Sequence, residues 1–174
     1  MTTQAARRLD TSDLALRVKA MYEEVALEPR HTFHFETGRP LAERLGYPAS
    51  DLDAIPAQAI DSFAGVGYFL DLAELSQGDA VLDLGSGSGT DSFIAALAVG
   101  AQGSVTGVDM TRAQLDKATR LAAAAGLANV AFEEGYIERP PVDDGSVDVV
   151  ISNGVINLAP DKPAVFRAAA AALR

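Results

Sequence analysis

The sequence contains no cysteine. Disulfides, thiolate metal sites and a cysteine nucleophile are therefore excluded together. It also lacks any apolar run of the roughly 18–20 residues that a membrane-spanning helix needs. The N-terminal MTTQAARRLDTSD carries two arginines with no apolar stretch behind them, so it reads as no secretory signal, and the cytoplasm is the default location. Basic residues are scarce: 14 Lys plus Arg against 24 acids leave a net charge of −10. With no basic stripe to offset that charge, nucleic acid is not an expected partner. The acidity suits a small neutral or cationic substrate, or serves solubility alone. What remains is 174 residues, 48% of them apolar, enough for one domain with a sizeable core.

The chain is organised around Ala80-Val-Leu-Asp-Leu-Gly-Ser-Gly-Ser-Gly-Thr90. This reads as a short buried strand, Ala80–Leu84, breaking into a glycine-rich turn, with a helix starting near Thr90. Gly85, Gly87 and Gly89 lack a Cβ, so the backbone there can turn sharply and lie against a ligand. The N–H groups of the turn and the helix start are expected to form a partly positive pocket. Asp83, just before the glycines, would repel a pyrophosphate and pair with a ligand ammonium. The spacing is G-x-G-x-G, not the dinucleotide G-x-G-x-x-G, and Thr90 stands where the third dinucleotide glycine would be. A second strand, Ser104–Val108, ends in Asp109, placed to accept hydrogen bonds from ribose hydroxyls.

Upstream, Leu14, Val18, Met21 and Val25 recur at helical spacing over Thr11–Leu27, with Thr11 or Ser12 as the cap and Pro29 beyond the end. Tyr22 either packs with this stripe or overhangs a substrate pocket. His31 and His34 have no third ligand nearby and read as polar surface, so no metal site is expected. Short helices are expected over Pro40–Leu45 and Ser50–Ile55, and again from Pro56 before the chain opens towards Gly67. Ala64, Gly65 and Gly67 suggest a close backbone approach, to a ligand or to the next helix. Tyr68–Leu75 reads as a helix. Residues 1–75 would then form a helical cap on an α/β unit spanning 76–174. In that unit a helix from Thr90 to Val99 closes at Gly100. Thr111-Arg-Ala-Gln114 forms a capping box, and the helix Arg112–Ala125 closes at Gly126. Strands follow at Asn129–Glu133 and, after an Asp143-Asp-Gly145 turn, at Val147–Ile151. Asp161 caps a last helix, Lys162–Leu173. Alternating strands and helices imply parallel pairing with right-handed crossovers.

VLDLGSGSG followed by GSVTGVDM resembles the cofactor motifs of class I S-adenosylmethionine-dependent methyltransferases. Four further segments are similar to the arsenite methyltransferase branch: Phe33–Arg39, Ser62–Gly67, Gly135-Tyr-Ile-Glu138 and Ile151-Ser-Asn-Gly-Val-Ile-Asn-Leu-Ala-Pro-Asp-Lys162. The resemblance implies a Rossmann-like α/β fold, its four parallel strands in the order 3-2-1-4, with S-adenosylmethionine as cofactor. It implies methyl transfer to a small-molecule acceptor by in-line displacement, where the protein mainly aligns the reactants. No catalytic base is named, since a nucleophilic acceptor needs none. By the same resemblance, Asp83 and the turn of Gly85, Ser86, Gly87 and Gly89 surround the amino-acid end of the cofactor. Asp109 holds the ribose and Met110 lies on the adenine face. Ile137 and Glu138 meet the adenine edge, and Ser152 and Asn153 line the gap between methyl group and acceptor.

Three departures qualify the resemblance. The cysteines with which arsenite methyltransferases bind trivalent arsenic fall at Val66 and Gly154, so a different acceptor is expected. The family's sheet has further strands after the point where this chain stops, at Ala171-Ala-Leu-Arg174. Either the sequence is a fragment, or the open edge of the fourth strand invites another chain or self-association. The alternative to an active enzyme is then a truncated, catalytically inactive module that binds cofactor or partner.

Overall fold

The computed structural model describes residues 11–27 and 35–174, with side chains of the first helix described from residue 17 onward. The Thr11 or Ser12 cap, the Leu14 side chain, Phe33 and both histidines lie outside the described residues. Four parallel strands form one sheet: β1 (Ala80–Leu84), β2 (Ser104–Asp109), β3 (Val130–Glu134) and β4 (Val149–Ser152), in the order β3-β2-β1-β4. This is the expected α/β, Rossmann-like arrangement. β1 is central because its run suits burial on both faces. Val81 packs towards one side with Ala95, Val99 and Val105, while Leu82 and Leu84 pack towards the other with Val108, Val147 and Val165. Each such fully buried aliphatic side chain contributes roughly 1.5–3 kcal/mol.

The helices are α1 (Thr11–Leu27), α2 (Arg39–Arg44), α3 (Ala49–Ala54), α4 (Ala57–Ile60), α5 (Thr90–Val99), α6 (Arg112–Ala125) and α7 (Lys162–Ala172). Among the described residues no helix is long and apolar enough to cross a membrane. α5 and α6 end where expected, on Gly100 and Gly126 at φ 67° and 69°, a region glycine enters without a Cβ penalty. Asp161 caps α7 by accepting the Ala164 N–H at 2.9 Å. Residues ahead of β1 share the core with α5: Tyr47, Leu52, Ile60 and Phe63 cluster with Phe93 and Ile94.

Several expectations are corrected. Tyr68–Leu75 is not a helix but a turn, held by Leu72 N–H to Phe69 O at 3.0 Å and Ala73 N–H to Leu70 O at 3.3 Å. Leu70 and Leu75 pack on the core while Phe69 and Leu72 stay largely exposed, so the apolar residues do not share one buried helix face, and Glu74 at φ 49° stops the turn. The helix after Pro56 lasts only one turn, Ala57–Ile60. α2 and α3 each begin a residue earlier than expected, α3 behind Pro48 rather than Ser50. The capping box does not form: Thr111 is the N-cap without a side-chain bond, and Gln114 is buried with partners elsewhere. β3 lies one residue later than expected, and regular β4 begins at Val149. The edge expected to be open on the fourth strand is covered at its start. Leu173 makes a parallel bridge to Val147, with Val147 N–H donating to Ala172 O and Arg174 N–H to Val147 O, both at 3.0 Å.

Candidate methyl-donor site

The sheet register sets the site. Asp83 lies between Gly107 on β2 and Ile151 on β4, so β1, β2 and β4 end at one level. Asp83, Asp109 and Asn153 are thereby delivered to the same edge, the carboxyl end of the strands, where ligands of open α/β sheets bind. A cavity opens there, lined by the glycine turn, the ends of these strands, Tyr136–Glu138 and, from α1, Val18 and Tyr22.

Gly85 (φ 79°) turns the chain where a Cβ would strike Val155 at 2.6 Å, whereas Gly87 (φ 53°) has only open space beside it. The turn differs in part from the expected positive pocket, because four of its N–H groups bond within the protein. Gly85 and Ser86 donate to Val108 O at 2.8 and 3.1 Å, Gly89 donates to Ser86 O, and Gly87 donates to Asp109 Oδ2 at 3.0 Å. Asp109 Oδ1 also accepts the Thr111 N–H at 2.8 Å. Asp109 thus ties the glycine turn to the start of α6.

The cavity wall is acidic. Asp83, Asp91, Asp109 and Glu138 line it, and no Lys or Arg does among the described residues. Asp83 is 2% exposed, and Ser92 Oγ donates to its Oδ2 at 2.6 Å. Burial, then the neighbouring charge of Asp91, pushes the Asp83 carboxyl up to about 8. Burial likewise raises Asp91, against the bonds from Tyr47 and Asn153 that favour its charged form. It raises Asp109 too, against the N–H groups of Thr111 and Gly87.

Sequence reasoning did not single out Asp91 or Tyr47, and it read Thr111 and Gln114 only as a capping box. Tyr47 is buried after α2, edge-on to Phe63 and Tyr68 at 5.0 and 4.9 Å, and its hydroxyl donates to Asp91 Oδ1. Asn153 Nδ2 reaches Asp91 Oδ2 at 3.0 Å, Tyr47 Oη at 2.9 Å and Gly67 O at 2.9 Å, while its Oδ1 accepts the Val66 N–H at 2.8 Å. The close approach signalled by the small residues at 64–67 is to this asparagine: a Cβ on Gly65 would lie 2.7 Å from Asn153 Nδ2. Ser88 donates to Gln114 Oε1, and Gln114 Nε2 donates to the Tyr22 carbonyl at 3.2 Å, joining the glycine turn to α1. The one readable signal was Asp91 itself, an acid in the first turn of the helix after the glycines.

Of the residues named from sequence, Asp83, Gly85, Ser86, Gly87, Asp109, Met110, Ile137, Glu138 and Asn153 all line the cavity. Gly89 lies behind the turn, where a Cβ would strike Phe132 at 2.8 Å. Ser152 is turned away, donating to Leu84 O at 3.0 Å. Two buried hydroxyls on the cavity wall, Ser86 Oγ and Thr111 Oγ1, make no hydrogen bond of good geometry. Buried polar groups are paired as a rule, so both suit a polar ligand.

The methyltransferase domain family matches residues 75–174. The chain belongs to that family. It lies on the arsenite methyltransferase-like branch of the class I S-adenosylmethionine-dependent methyltransferases. An arsenite methyltransferase of Halobacterium salinarum is 47% identical over 131 residues, 75% of this chain and 33% of the relative. Another, from Aquipseudomonas alcaligenes, is 53% identical over 102 residues, covering 55% of this chain and 30% of the relative. The chain thus spans about a third of the length of these curated relatives. The crystal structure of an arsenic (III) S-adenosylmethionine methyltransferase from Chlamydomonas reinhardtii superposes with a TM-score of 0.63. That match is at 42% identity, over 71% of this chain and 44% of the other. S-adenosylmethionine is the cofactor of this family, and the acidic, hydroxyl-lined cavity suits its ammonium and ribose.

Proposed function

We propose that this chain binds S-adenosylmethionine in the β1–β2–β4 cavity and serves methyl transfer to a small-molecule acceptor other than arsenite. The observation that carries the reading is the acidic cavity at the strand ends, with Val66 and Gly154 where thiolates would be needed for arsenic. In this reading Asp83 faces the amino-acid end, Asp109 with Ser86 and Thr111 the ribose side, and Met110, Ile137 and Glu138 the adenine. Asn153 and the backbone at Gly65 and Gly154 border the methyl. The bound cofactor would supply an electrophilic methyl on a sulfonium. The chain's own contribution is to hold the acceptor in line and to exclude water.

Arsenite as acceptor is the rival, favoured by the relatives and opposed by the complete absence of cysteine. A thermal-shift titration with S-adenosylmethionine tests the binding half. Turnover of labelled methyl donor on a panel of hydroxyl, amine, carboxylate and thiol acceptors, with arsenite included, tests the rest. A folded chain that shows no shift with the donor overturns the reading, and methylation of arsenite overturns the choice of acceptor. Binding without turnover on any acceptor favours the inactive binding module.

A further inference from the structure

The donor cavity has a charge imbalance that the cofactor motif alone does not reveal. Asp83 on β1 and Asp91 on α5 both face it, close enough that the charge of one opposes ionisation of the other. Around Asp83 stand the Ser92 hydroxyl and Asp91 from α5, Asp109 from β2 and, after α2, the Tyr47 phenol. Asp91 is met by the Tyr47 hydroxyl and the Asn153 amide, and its charge is also felt by Tyr68. The nearby cations act elsewhere: Lys19 of α1 acts on Asp109, and Lys117 of α6 acts on Asp61. Among the described residues, no Lys or Arg lines the wall that these two acids share. The buried Ser86 hydroxyl, without a hydrogen-bond partner on the same wall, independently marks the cavity as built for a ligand.

We infer that Asp83 and Asp91 act as one carboxylate pair that retains a proton before the donor arrives and releases it to solvent when the donor's positive charge takes its place. This rests on the cofactor reading above and gives Asp91 a role in selecting a cationic ligand. The balance is simple: an Asp83 O–H bond breaks, the proton passes to bulk buffer, and the carboxylate left behind faces the incoming ammonium or sulfonium. Burial first, and then the like charge of Asp91, disfavours ionisation of Asp83 until a cation stands beside the pair. Tyr47 cannot serve as the proton source, because burial and the adjoining Asp91 hold its phenol protonated far above neutrality.

The test is isothermal calorimetry of S-adenosylmethionine binding to the full chain at pH 7, in buffers of different ionisation enthalpy. Their comparison counts the protons released. Close to one proton per donor is expected, with affinity about tenfold weaker at pH 6 than at pH 7, one pH unit of linkage. Asp91→Asn removes the like charge, so it should release clearly fewer protons and bind about tenfold more weakly, with an unchanged near-ultraviolet dichroism spectrum. Asp83→Asn, an isostere of the protonated acid, should abolish the release. A merely structural role for Asp91 would leave the proton count untouched. Donor binding with no proton release by the native chain, or equal release by Asp91→Asn, overturns the pair. Failure of the native chain to bind donor at all overturns instead the cofactor reading beneath it, and the pair falls with it.

Discussion

Gly154 faces Val66: a Cβ placed on Gly154 would lie 3.6 Å from Val66 Cγ1. These are the two positions at which the resemblance puts arsenic-binding cysteines. The end of β4 and the segment held by Asn153 bring them together with no sulfur on either. The purified chain is therefore expected not to retain arsenite, measured by equilibrium dialysis with metal analysis; micromolar retention would count against it. The same geometry constrains Gly154 itself. At φ 78°, with Ala64 O 3.3 Å from the would-be Cβ, Gly154→Ala should cost about 1–2 kcal/mol in urea unfolding. Val66→Ala, at a side chain 62% exposed, should change stability little.

In the proposed reading Asp109 holds the glycine turn and also meets the donor, and its removal should show both. Its carboxylate already accepts the N–H groups of Gly87 and Thr111, each a bond to a charged acceptor worth about 1.5–3 kcal/mol. Asp109→Ala is expected to lower unfolding stability and to weaken donor affinity together. Asp109→Asn, which keeps one acceptor oxygen, should recover part of the stability and less of the affinity. Calorimetry that finds native affinity in either folded variant would remove Asp109 from the donor site.

The strands and long helices were legible because hydrophobic pattern and terminal chemistry agree there. β1 and α1, α5 and α6 have the expected ends, and the order 3-2-1-4 followed from the resemblance. What failed is physically consistent. Thr111 and Gln114 have the spacing of a capping box, but a long-range partner, Ser88 on the glycine turn, claims Gln114. The glycine-turn N–H groups were expected to face a ligand, yet Val108 O and Asp109 take those of Gly85, Ser86 and Gly87. Nothing in local sequence says which of two competing acceptors an N–H will find. Asp91 was passed over for a similar reason: its partners, Tyr47 and Asn153, lie 44 and 62 residues away. The Asp83 placement was readable because the motif and the strand period both put it on the wall facing α5.

Asn153 is expected to govern order in residues 65–67. Its one amide bonds the Val66 N–H and the Gly67 carbonyl as well as Asp91 and Tyr47. Asn153→Ala would leave the Val66 N–H without a partner and loosen this segment beside the cavity. Amide exchange at Val66 should accelerate at least tenfold, the equivalent of about 1.4 kcal/mol, while β1 and β2 amides stay protected. Methyl transfer should fall with it. Unchanged exchange at Val66 would show that the segment is held by its other packing.

The outer edge of β4 carries the last prediction. Asp148 N–H donates to Ala80 O on β1, while Val147 N–H donates outward to Ala172 O. By the alternation of a parallel strand, the N–H and C=O groups of Val149 and Ile151 also point outward. The C-terminal residues cover only the beginning of that edge: Leu173 bridges Val147, and Arg174 pairs with Asp148. Beyond it no strand partners Val149–Ser152 among the described residues, and Phe69 and Leu72 stand nearby with much of their surface exposed. An edge of this kind accepts another strand readily, and adjoining apolar surface adds to the gain. The chain in solution is therefore expected to self-associate as concentration rises, read by light scattering across a dilution series. Amide exchange places the contact: at low concentration Val149 and Ile151 should exchange quickly while Val150 stays protected, and at high concentration Val149 and Ile151 should slow. Leu72→Lys should weaken the association without lowering monomer stability, since that side chain is largely in solvent. A chain that stays monomeric at high concentration, with Val149 and Ile151 already slow, would mean that the edge is closed from within.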